Sequence, residues 1–73
     1  MKVLIIDDDE GLSAVFEAEL QKNGFQTVAS LNGKGGIDKA LSEKPDLILL
    51  DQVLRDISGN EVVRTLKADA QTQ

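Results

Sequence analysis

The chain has 73 residues, a formal net charge of -5, and neither histidine nor cysteine. A chain of this size makes at most one small domain, which buries only about 60% of its unfolded surface and is marginal in stability. The missing residue types exclude disulfide frameworks, thiolate or imidazole metal sites and Ser-His-Asp triads, and the acidic balance argues against direct nucleic acid binding.

Met1-Lys2 leads straight into Val3-Leu4-Ile5-Ile6, an apolar run closed by Asp7-Asp8-Asp9. So short a run is neither a signal peptide nor a membrane span, so a soluble, cytoplasmic protein without membrane contact is expected. Lys2 to Ile6 reads as a buried parallel strand. Asp8 or Asp9 caps a helix from Glu10 to Asn23, with Leu12, Val15, Phe16 and Leu20 on one stripe expected in the core. Gly24 is a natural left-handed stop. Phe25 to Ala29 is less apolar and reads as an edge strand. The Asn32-Gly33 turn opens a second helix to about Glu43, with Ile37, Ala40 and Leu41 inward and its first turn weakened by Gly35 and Gly36. Pro45 breaks the chain before a third strand, Asp46 to Leu50. A loop through Gly59 leads to a third helix with Val62, Val63 and Leu66, and the tail from Ala68 to Gln73 is polar and expected to fray.

This βαβαβα order predicts an α/β fold with a parallel sheet, right-handed crossovers and helices on both faces. The first strand is among the most apolar and belongs in the middle, so the order is 2-1-3. Parallel neighbours end at the same edge. Asp7 and Asp8 then meet Asp51, which follows Leu47-Ile48-Leu49-Leu50, at the carboxyl edge where open α/β sheets keep their sites. Carboxylates gathered in one pocket repel each other, and a hard divalent cation relieves that repulsion.

Lys2 to Asp9 and Pro45 to Asp51, with Asn23-Gly24-Phe25, the Asn32-Gly33 turn, Asp56 and Gly59, resemble the N-terminal part of a response-regulator receiver domain. The resemblance implies a truncated flavodoxin-like (βα)3 sheet over residues 1-73, lacking the fourth and fifth βα units of the family. It implies Asp51 as phosphoacceptor, Asp8 as a direct Mg²⁺ ligand, Asp7 as one acting through water, and the backbone carbonyl of Val53 as a further ligand. Metal binding is expected to be weak or absent, and phosphoacceptor activity impaired, in so short a chain. The implied donor is a phosphohistidine on a sensor histidine kinase or a phosphotransfer protein. Such a module is not an enzyme: it accepts a phosphoryl group in a half-reaction.

Two departures from the family pattern stand out. Arg55 replaces the usual proline; as a lone surface arginine it is expected in solvent, the other reading being a weak attraction for phosphate. With only three βα units, the third strand has an open edge and the sheet face under the first helix is under-covered, leaving apolar side chains of strands one and three in water. Self-association into a homodimer or higher oligomer through that edge is the expected result.

Other readings were weighed against these. Taken alone, the three aspartates serve equally as an acidic helix cap; paired with Asp51 at a second strand end, they favour a site. Gly33-Lys34-Gly35-Gly36 lacks the spacing of a phosphate loop and reads as a turn. A non-catalytic, self-associating half-domain is one alternative function. A haloacid-dehalogenase-like phosphatase is another, with Asp7 as nucleophile and Asp9 as acid, although the Gly-Thr expected after Asp9 is absent.

Overall fold

The computed structural model describes residues 1–68; the polar tail read beyond Ala68 lies outside them. Six elements follow in the expected order: β1 (Lys2–Ile6), α1 (Glu10–Lys22), β2 (Gln26–Ser30), α2 (Gly33–Glu43), β3 (Leu47–Leu50) and α3 (Gly59–Ala68). The three strands are parallel in the order β2-β1-β3, as the apolar content of β1 predicts. Register pairs Ile6 with Ser30 on one side and with Leu50 on the other, so all three strands end at one edge. No helix among the described residues is long and apolar enough to cross a membrane.

Local chemistry explains the helix ends. Asp9 is the N-cap of α1, its carboxylate accepting from the Leu12 N–H at 3.0 Å. Asn32 does the same for α2 through Gly35 N–H at 2.6 Å. Gly24 adopts a φ of 87° and turns the chain out of α1. Before Pro45, Lys44 ends α2 in the left-handed region, a conformation the residue type does not advertise.

The core lies on one face of the sheet. Leu4 and Ile6 pack with Ala40 of α2 and with Val62 and Leu66 of α3, while Ile48 and Leu50 close the edges of this cluster. Gly36 makes the fit possible: a Cβ there would stand 2.5 Å from Cδ1 of Ile6, so α2 sits on β1 as closely as backbone allows.

The opposite face departs from expectation. Leu12, Val15 and Phe16 were expected in the core; instead Leu12 is 44% and Phe16 41% exposed, Val15 more so, and Leu20 is half-buried. The cause is the position of α1. It is tied to β2, where Thr27 donates to Glu17 at 2.9 Å and receives from Gln21 at 2.7 Å. Shifted that way, α1 covers Val3 and Ile5, each 1% exposed, but not their neighbours Leu47 and Leu49 at 45% and 37%. Apolar exposure on this face therefore belongs to β3 and to the bare side of α1; β1, expected to share it, is covered.

Candidate functional site

Register places the acidic residues. Ile6 and Leu50 are paired, so the next residue of each strand emerges at the same edge. Asp51 N–H donates to Ile6 O at 2.9 Å and Asp7 N–H to Ser30 O at 3.1 Å, which fixes both backbones to the sheet. Asp7, Asp8 and Asp51 are half-buried, and each offers a carboxylate oxygen within 4.8 Å of the others. Asp9 does not join them; its carboxylate is spent on the cap of α1, and its N–H donates to Asp7 Oδ1 at 2.9 Å. The cap reading and the cluster reading of the three aspartates thus hold for different residues.

The loop after β3 is shaped around Asp51. Val53 N–H points at Asp51 Oδ1 from 3.3 Å, and the Val53 side chain is exposed. Gly59 N–H donates to Gln52 O at 2.9 Å. A Cβ on Gly59 would lie 2.7 Å from the Asp51 carbonyl, so only glycine lets α3 begin so close to the phosphoacceptor candidate. Asp56 anchors the same loop, its two oxygens accepting from the N–H groups of Gly33 and Lys34, both at 2.8 Å. These bonds from Lys34 and Gly33 hold the Asp56 carboxyl below the usual carboxylate range. The sequence placed Asp56 in this loop; its bond to the start of α2, 23 residues away, has no local signature.

Arg55 is solvent-exposed, as a lone surface arginine should be, with 86% of its side chain accessible. It is not idle there: its Nε lies 3.6 Å from Asp8 Oδ2. Above the carboxylates opens a cleft of about 580 Å³, walled on its apolar side by Leu12, Phe16 and Leu49.

Mg²⁺ takes one or two carboxylates from a protein, the rest of its shell being water and phosphate oxygen, and the three carboxylates within 4.8 Å of one another supply that number with one to spare for a bound water. The residues therefore fit the group. The donor set, the cleft and the three-layered parallel fold define an α/β module with an acidic site at the carboxyl edge of its sheet.

Comparison with known proteins places that module. A family model described as "Response regulator receiver domain" matches residues 3–73, and the chain belongs to that family. It is 38% identical over 71 residues to the response regulator ArlR of Staphylococcus saprophyticus, covering 97% of this chain and 32% of that protein. The N-terminal domain of a response regulator receiver protein from Methanoculleus marisnigri superposes with a TM-score of 0.93 at 27% identity, over 97% of this chain and 58% of that one. The response regulator TrrA of Thermotoga maritima, solved in complex with Mg²⁺-BeF, gives a TM-score of 0.89 at 28% identity, over 96% and 61%. The chain thus spans about a third of this curated relative and less than two thirds of these solved neighbours.

Proposed function

We propose that this chain is the phosphoacceptor part of a two-component receiver, with Asp51 as the residue that takes the phosphoryl group. The observation that carries the reading is the convergence of Asp7, Asp8 and Asp51 at one sheet edge. In this reading the three βα units make up the first part of the receiver fold. Asp8 and Asp51 would hold Mg²⁺ through carboxylate oxygens, with the Val53 carbonyl as a further ligand and Asp7 acting through water. When bound, the ion neutralises charge between the attacking carboxylate and the incoming phosphoryl oxygens.

The residues of the chain do the rest. An Asp51 oxygen attacks phosphorus in line; the P–N bond of a phosphohistidine breaks, and the electron pair stays on the leaving imidazole. The product is an acyl phosphate on Asp51. Asp7 is held by the Asp9 N–H and Asp51 by the Val53 N–H, so both carboxylates are oriented before the donor arrives, and positioning is most of what phosphoryl transfer needs. The partner is a sensor histidine kinase or a phosphotransfer protein. Incubation with acetyl phosphate and Mg²⁺ tests this: intact-mass spectrometry is expected to show one added phosphoryl group, absent in Asp51→Asn. A folded wild-type sample that gains no mass overturns it.

The exposed apolar face supports a second reading, self-association. Among the described residues β3 pairs with β1 alone, and Leu47 to Leu50 form an uncharged outer edge, a template for another strand. We infer a homodimer in which two β3 edges pair about a two-fold axis and bring Leu47 and Leu49 together. Light scattering on a sizing column is expected to give the dimer mass, and the monomer mass for Leu49→Asp; a monomeric wild type refutes it.

A further inference from the structure

Two adjacent side chains of the β3–α3 loop have opposite duties. Asp56 is fastened to the N-terminus of α2 by two backbone bonds at 2.8 Å. That anchor fixes the backbone beside Arg55, and the guanidinium reaches Asp8 at 3.6 Å. Asp8 is the less exposed partner, at 26% against 86%, so the arginine closes over the cluster from the solvent side. Three formal negative charges share a space of 4.8 Å there, and Arg55 offsets part of their repulsion.

We propose that Arg55 is a displaceable counter-ion of the acidic cluster, competing with a divalent cation for Asp8 and so setting the concentration at which the site fills. The proposal rests on the cation-binding reading given above. An exposed ion pair of this kind is weak, because water and salt screen it and the long side chain loses freedom in making it. A doubly charged ion, held by more than one carboxylate, displaces the guanidinium. A monovalent ion gains little by doing so. Arg55 therefore lowers the affinity for cations by the modest factor that an exposed pair allows.

Titration with Mn²⁺, followed by the electron paramagnetic resonance signal of the free ion, tests this on the full chain, with Mg²⁺ measured by competition. At low ionic strength Arg55→Ala is expected to bind Mn²⁺ about threefold more tightly than wild type, from the usual strength of an exposed pair. Arg55→Lys keeps the charge and should stay near wild type. The gain should fade as salt rises toward about 0.15 M, where the screening length falls to about 8 Å. Lys22→Ala removes the same charge at the far end of α1, where Lys22 pairs with Glu19, and should leave the affinity unchanged. In an Asp8→Asn background, removing Arg55 should have little effect.

An Arg55→Ala variant that binds no tighter than wild type overturns the proposal while leaving the cation site intact. Equal gains from Arg55→Ala and Lys22→Ala also overturn it, since they would show net charge at work rather than the contact with Asp8. Failure of wild type and Arg55→Ala alike to bind Mn²⁺ removes both this proposal and the cation reading beneath it.

Discussion

The two faces of the sheet are built from the same strands and have opposite fates. On one, Leu4 and Ile6 vanish beneath α2 and α3; on the other, Leu47 and Leu49 stay in water beside α1. The run Leu47-Ile48-Leu49-Leu50 supplies both faces with nearly the same side chain. Apolar character therefore does not decide burial; the covering element does. Two helices close one face, while a single helix, drawn toward β2 by Thr27, closes about half of the other.

A matched pair of truncations gives the sharpest test of that contrast. Leu4→Ala is expected to cost about 2–5 kcal/mol, the range for a large-to-small change in a packed core, and Leu49→Ala, compared at a dilution where the chain is monomeric, less than about 1 kcal/mol. Urea denaturation followed by circular dichroism measures both; comparable losses would mean that the second face is covered in solution. Next in size is Gly36→Ala, which drives a methyl group into Ile6 on the closed face and should cost about 1–3 kcal/mol. The same assay, with no loss, would show that α2 can retreat from β1.

A smaller effect of opposite sign is expected under α1. Ser13 is the buried residue of α1, and its hydroxyl finds no hydrogen-bond partner among the described residues. Ser13→Ala should stabilise the fold by about 1 kcal/mol, read as a raised urea midpoint; a lowered midpoint would reveal a partner for that hydroxyl. Least at neutral pH is the effect of Asp56→Asn, which weakens the tie between the β3–α3 loop and α2. The folded pKa of Asp56 lies below its unfolded value of about 4. The ionised carboxylate thus contributes stability above that value and loses it as pH falls through the folded pKa. The Tm gap between wild type and Asp56→Asn should close on acidification; a gap that persists would mean the bond is not ionic in origin.

The strand order and the meeting of Asp7, Asp8 and Asp51 were legible because they follow from short-range signals: apolar runs of four, a break at Pro45, and one rule about parallel edges. Strand limits shifted by a single residue, β2 beginning at Gln26 and β3 at Leu47. What escaped was non-local. The stripe on α1 says which side of the helix is apolar, but not that the helix lies beside β2, where Gln21 and Glu17 bond Thr27, and leaves β3 bare. Asp56 finds its partners 22 and 23 residues back, with nothing in the intervening sequence to point there. Arg55 was read correctly as exposed, yet exposure and pairing are compatible for a side chain so long, and only the folded geometry sets its distance from Asp8.

The central place of β1 carries a consequence for the order of assembly. It precedes both of its partners in the chain, and β3 lies far downstream; the bond from Lys2 N–H to the Asp46 carboxylate spans 44 residues. Loop closure over that distance has to be achieved before the pairing repays it. The β1–α1–β2 unit can form from the first 30 residues, but its centre strand then waits with one side unsatisfied. The convergence of Asp7 and Asp8 with Asp51 arrives only with β3, so an assembled acidic cluster is also a report that the long-range half of folding is complete.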